Sequence, residues 1–77
     1  MLYAYILLTV RIGMLQEVLD RIRTLEEVVE AEAITGPYDM IVYVGVDGLT
    51  QLTEALLHKI GKIDGVTESI TLVVVEL

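Results

Sequence analysis

A chain of 77 residues makes one small domain, of a size where a single core contributes only about 3–5 kcal/mol. With no cysteine and one histidine, it has neither a disulfide nor a zinc site to reinforce that core. Twelve acids against five bases give a net charge of −7, which repels a phosphate backbone and argues against direct nucleic-acid binding. No apolar run reaches the ~18 residues of a membrane span, and Met1–Tyr5 lacks the basic start of a signal peptide, so the expected compartment is the cytoplasm with no membrane partner. Hydrophobic residues make up 55% of the chain, a high share for a small domain that must keep a wetted surface, and oligomerisation is the reinforcement left open.

Leu2 to Val10 reads as a strand with no breaker, apolar on both parities. Ala4, Ile6, Leu8 and Val10 line one face and Tyr3, Tyr5, Leu7 and Thr9 the other, the pattern of a strand covered on both sides. Gly13 punctuates, and a helix is predicted from about Met14 to Leu25, with Leu15, Val18, Leu19 and Ile22 as its apolar stripe. Glu17 and Arg21, four apart, are placed to pair on the solvent side.

Val28 to Ile34 is the second predicted strand. Its two acids, Glu30 and Glu32, suit an exposed edge; paired-carboxylate catalysis would need a cleft that splits their pKa values, and none is visible. Thr35-Gly36-Pro37-Tyr38-Asp39 turns the chain, Gly36 supplying a positive φ and Pro37 presetting the next position. Asp39, at the mouth of the next strand, is either an Asx-type turn former or a ligand contact. The third strand runs from Met40 to Val46, and Asp47 is placed to cap a second helix from about Leu49 to Ile60, striped by Leu49, Leu52, Leu56, Ile60 and Ile63. His58 falls opposite that stripe, in solvent. Gly61 is placed to end the helix and Asp64-Gly65 to turn into a last strand from Val66 to Leu77.

The order βαββαβ, with halves superposing at an offset of 38 residues (Tyr5 over Tyr43, Ile22 over Ile60, Val28 over Val66), predicts an α+β fold, the ferredoxin-like plait. Its four-stranded antiparallel sheet carries both helices on one face. The other face is left with Tyr3, Tyr5, Leu7, Ile41 and Tyr43 at its centre, an apolar patch that calls for a second copy packed sheet to sheet. For the second and fourth strands the facing is open, because Thr67, Ser69 and Thr71 alternate with Glu68, Ile70 and Leu72 and a one-residue slip exchanges them.

Three local signals combine: Leu25-Glu26-Glu27-Val28 before the second strand, Thr35-Gly36-Pro37-Tyr38-Asp39 at the hairpin, and Ile63-Asp64-Gly65-Val66 before a last strand containing Thr71. Together, over essentially the whole chain, they resemble the effector-binding (RAM) domain of the leucine-responsive and asparagine-operon regulator family, Lrp/AsnC. That resemblance implies dimers formed through the sheets, rings such as octamers or decamers, and an amino-acid effector bound between dimers. It implies a pocket of Thr35, Gly36, Tyr38 and Asp39 joined by residues around Thr67, Ser69 and Thr71, with no catalytic residue, metal or cofactor. The family's regulators carry a helix-turn-helix before this domain, whereas here Met1 leads directly into the first strand. The expectation is a stand-alone domain that regulates by sensing an effector or by co-assembling with full-length regulators. Two rival classes share the topology: small dimeric monooxygenases, for which Arg11 or His58 would have to serve, and ACT-type domains, which pair side by side.

Overall fold

The computed structural model describes residues 1–77. Four strands, β1 (Leu2–Val10), β2 (Val28–Ala33), β3 (Met40–Val46) and β4 (Val66–Val73), form one antiparallel sheet in the order β2-β3-β1-β4. The connections β1–β3 and β1–β4 put the first and third strands at the centre, as two interlocked βαβ halves require. The repeat is visible in the register, because Tyr5 of β1 lies directly opposite Tyr43 of β3.

Helix α1 spans Leu15–Ile22, shorter than the periodicity predicts. Val18, Leu19 and Ile22 are buried, but Leu15 is exposed at the first turn, and Arg23 to Leu25 close the helix in tight turns whose N–H groups return to Leu19, Arg21 and Ile22 carbonyls. No Glu17–Arg21 ion pair forms; the helix instead carries a Gln16 Nε2 to Asp20 Oδ1 hydrogen bond of 2.8 Å. The second helix begins with a π-helical stretch, Gln51–Leu56, before settling into α2, Leu57–Gly61. The wider turn keeps Leu52, Leu56 and Ile60 in the core and throws Leu49 out to solvent, 61% exposed. Asp47 does not cap with its side chain. Its backbone N–H donates to Gln51 Oε1 at 2.7 Å, so the capping contact runs backward from the helix. Gly61 is helical and not left-handed; the positive φ comes later, at Gly65 (103°), where the chain enters β4.

The core lies between the helices and one sheet face. Ala4, Ile6 and Leu8 from β1 and Met40, Val42, Val44 and Val46 from β3 meet Val18, Ile22, Leu52, Leu56 and Ile60. β2 and β4 are the edges, and each bears an irregularity: a bulge between Val28 and Glu30, and a register shift where Thr9 and Val10 meet β4. β4 ends at Val73, four residues before the predicted end, with Val74 N–H donating to the Tyr3 carbonyl as its last cross-strand bond.

Candidate functional site

The hairpin Ile34–Asp39 closes with Ile34 N–H on the Asp39 carbonyl at 3.0 Å. Gly36 sits at its tip with φ 131° and open space where a side chain would go. Thr35, Gly36 and Pro37 are exposed, and Tyr38 and Asp39 are half-buried. The Asp39 carboxylate does not form an Asx-type turn within its own hairpin. Its backbone N–H continues the ladder onto the Leu8 carbonyl (2.8 Å), while carboxylate Oδ2 accepts from Val10 N–H at 2.8 Å. β1 outruns β3 at this end, so Val10 has no backbone partner on that side, and the carboxylate supplies the missing acceptor. Asp39 thus stitches the hairpin to the neighbouring central strand rather than turning its own loop.

On the opposite flank of β1, the register shift divides the three hydroxyls of β4. Thr67, in the irregular segment, hydrogen-bonds to Thr9 Oγ1 at 2.6 Å. Ser69 pairs with Leu8 and Thr71 with Ile6, so both point to the helix side of the edge. This resolves the facing of β4: Glu68, Ile70 and Leu72, opposite Thr9, Leu7 and Tyr5, belong to the open face. Among the residues expected at a pocket, Asp39 and Ser69 flank Leu8 from its two sides and Thr67 lies beside Thr9; Thr71 is two pairs further along β1, opposite Ile6.

The open face is as the parity predicts. Tyr3 and Tyr43 stack at 5.6 Å with rings 10° apart, and Tyr5 meets Tyr43 at 4.7 Å, a ladder across the two central strands. Leu7 and Ile41 extend it half-buried, and Ile70 and Leu72 flank it at 43% and 48% exposure. Loss of water around Tyr43, and then the neighbouring phenols of Tyr5 and Tyr3, hold its phenol above the ordinary value of 10.0. On β2, Glu30 and Glu32 lie opposite Tyr43 and Ile41, which settles their facing as well.

One charged pair gives no sequence signal. Glu27, just before β2, is 6% exposed at its side chain and binds Lys59 of α2 at 2.8 Å, with its other oxygen buried and unpartnered in the chain. The pair spans 32 residues and comes together only through the tertiary fold. Arg11 pairs with Asp64 at 3.6 Å beside the β4 entrance, and His58 is exposed on α2. No group of acids and histidines could hold a metal ion, and no helix is long and apolar enough to cross a membrane.

The chain is thus a ferredoxin-like plait with one helix-covered face, one bare aromatic face and a glycine hairpin stitched to the sheet's end. The chain belongs to the Lrp/AsnC ligand-binding domain family, whose model matches residues 3–77. Among solved structures it is similar to FFRP-DM1, at 32% identity over 97% of this chain and 100% of that one (TM-score 0.92). It is also similar to AsnC of E. coli, at 26% identity (TM-score 0.90), covering 99% of this chain and 52% of AsnC, so that it spans about half of that regulator. A Neisseria meningitidis transcriptional regulator solved in complex with L-Met shares the fold at 21% identity (TM-score 0.86), over 97% of this chain and 50% of that one. Among curated protein sequences none matches. The domain is therefore a regulatory effector-binding domain, and its family is one of regulators rather than enzymes.

Proposed function

We propose that the domain binds an amino-acid effector at the hairpin end of its sheet and assembles with copies of itself through the open face. The observation that carries the first half is the placement of Asp39: Oδ2 is engaged by Val10 N–H at 2.8 Å, leaving Oδ1 for an ammonium group. The Gly36 tip has no side chain to bar close approach, and the Ser69 hydroxyl, across β1 from Asp39, is a partner for a carboxylate, with Thr67 on the other face of the edge beside Thr9. Thr35, Tyr38 and Thr71 complete the proposed set. The Neisseria regulator's complex with L-Met supports an amino acid as a ligand this fold can accommodate.

The second half rests on the tyrosine ladder with Leu7, Ile41, Ile70 and Leu72. Covering ~600 Å² of such surface per copy gives a gross gain of roughly 15 kcal/mol at 25 cal/mol/Å², before the costs of association. Dimers so formed would build rings of the octamer or decamer kind, with the effector site completed between dimers in the cytoplasm. With a charge of −7 this domain would reach DNA only by contact with a DNA-binding regulator. Calorimetry of the assembled protein against the twenty amino acids tests the ligand. One or a few should bind, and Asp39→Asn should weaken them at least tenfold; no heat from any of the twenty would end this reading.

A further inference from the structure

We infer that the outer edge of β4 pairs antiparallel with β4 of a second copy and so joins dimers already formed through the open face, an inference that rests on that face assembly. Val74 N–H donates to the Tyr3 carbonyl at 2.9 Å, so Val74 and, two and four residues back, Leu72 and Ile70 turn their backbone groups inward to β1. Alternation then turns the N–H and C=O groups of Ser69, Thr71 and Val73 outward. No side chain or loop of the chain bonds to them. β4 runs for eight residues with one charge, Glu68, and neither a base nor a proline. A long edge left so bare is a template for another strand.

The other edge is closed to such pairing. On β2 the Ala31 carbonyl points outward, and the Arg23 guanidinium already fills it with two hydrogen bonds, at 2.9 and 3.3 Å. The bulge between Val28 and Glu30 interrupts the ladder, and a two-fold about Ala31 would set Glu30 against the second copy's Glu32 twice over. On β4 a two-fold about Thr71 meets no such conflict. It pairs Thr71 with its own copy and Ser69 with the second copy's Val73, so every outward group named above gains a partner. On the open side it sets Ile70 opposite the second copy's Leu72, both exposed in the single chain. The two Glu68 carboxylates stay roughly 20 Å apart, six residues along a strand at ~3.4 Å each. One such seam is small beside the ~1,200–2,000 Å² of a stable interface, so it holds only where the open face has already gathered the copies. Face and edge are both isologous contacts, and alternating two of them multiplies dimers into a dihedral assembly.

Cysteine cross-linking tests the register, because the chain has no cysteine of its own. Thr71→Cys should give a covalent dimer under mild oxidation, since directly opposed residues of a bonded antiparallel pair lie ~5.5 Å apart at Cα, within disulfide reach. Ser69→Cys and Val73→Cys should each stay unlinked alone and link when the two are co-expressed. Sedimentation tests the role of the contact. Thr71→Pro removes an outward N–H and no bond inside the sheet, and Thr71→Lys sets two like charges together at the seam. Either should reduce the wild-type mass to that of a dimer, whereas Tyr43→Glu should reduce it to single chains. A wild-type dimer that Thr71→Cys fails to cross-link, or a full-sized assembly kept by both Thr71→Pro and Thr71→Lys, would overturn the edge contact and leave the face assembly standing. A wild-type monomer would end both.

Discussion

Gly65 and Gly36 both have positive φ, 103° and 131°, yet the two positions differ in what surrounds them. A Cβ on Gly36 meets nothing within 4 Å, whereas on Gly65 it would lie 2.9 Å from Val18 Cγ2 and 3.2 Å from Met14 Cβ. Gly36→Ala therefore carries only backbone strain, about 1–3 kcal/mol. Gly65→Ala adds an overpacked contact with α1 and should lose about 2–5 kcal/mol in all. Gly61→Ala, helical and in open space, should gain about 0.5–1 kcal/mol. Urea midpoints of the three variants check the order. At Gly36 and Gly65 the sequence marks the turn correctly. It cannot show that one turn is free and the other wedged against a helix, because that contact joins Gly65 to a residue 47 positions away.

Between elements, the Glu27–Lys59 pair clips the entrance of β2 to α2. The Lys59 hydrogen bond, opposed by burial, holds the Glu27 carboxyl below its ordinary 4.5, and the same bond raises Lys59 above 10.5. A lowered carboxyl stabilises the fold above the ordinary value, and that contribution disappears as pH falls from 4.5 through the folded pKa. Glu27→Gln should cost about 1.5 kcal/mol at neutral pH, near the low end for a hydrogen bond to a charged group because Oε1 is buried unpaired. Thermal unfolding between pH 7 and 3 should show the wild type falling more steeply below 4.5 than the variant; parallel curves would remove the clip. The second helix shows what pattern reading misses at this scale. Leu52, Leu56 and Ile60 repeat every four residues, which a helix of ordinary pitch accommodates with slow drift, and the π-helical turn absorbs the drift by ejecting Leu49.

For the whole molecule, self-association through the open face is the consequence most exposed to measurement. Tyr5 and Tyr43 are at the centre of the ladder and touch no helix, so a charge there should separate copies without unfolding them. Tyr5→Glu and Tyr43→Glu should sediment as single chains at micromolar concentration while keeping their far-ultraviolet circular dichroism. A wild-type protein that is itself monomeric at that concentration would contradict the assembly.

The sequence alone determines the βαββαβ order, the antiparallel plait, the buried parity of β1 and β3 and the bareness of the tyrosine face. All of these follow from local turn chemistry and from alternation within single strands. Only the tertiary structure decides where Asp39, Thr67 and Glu27 spend their polar atoms. A strand that outruns its neighbour by two residues, an extra residue in an edge and a pair 32 positions apart are matters of register between segments, and a pattern read along one segment carries no information about its offset from the next.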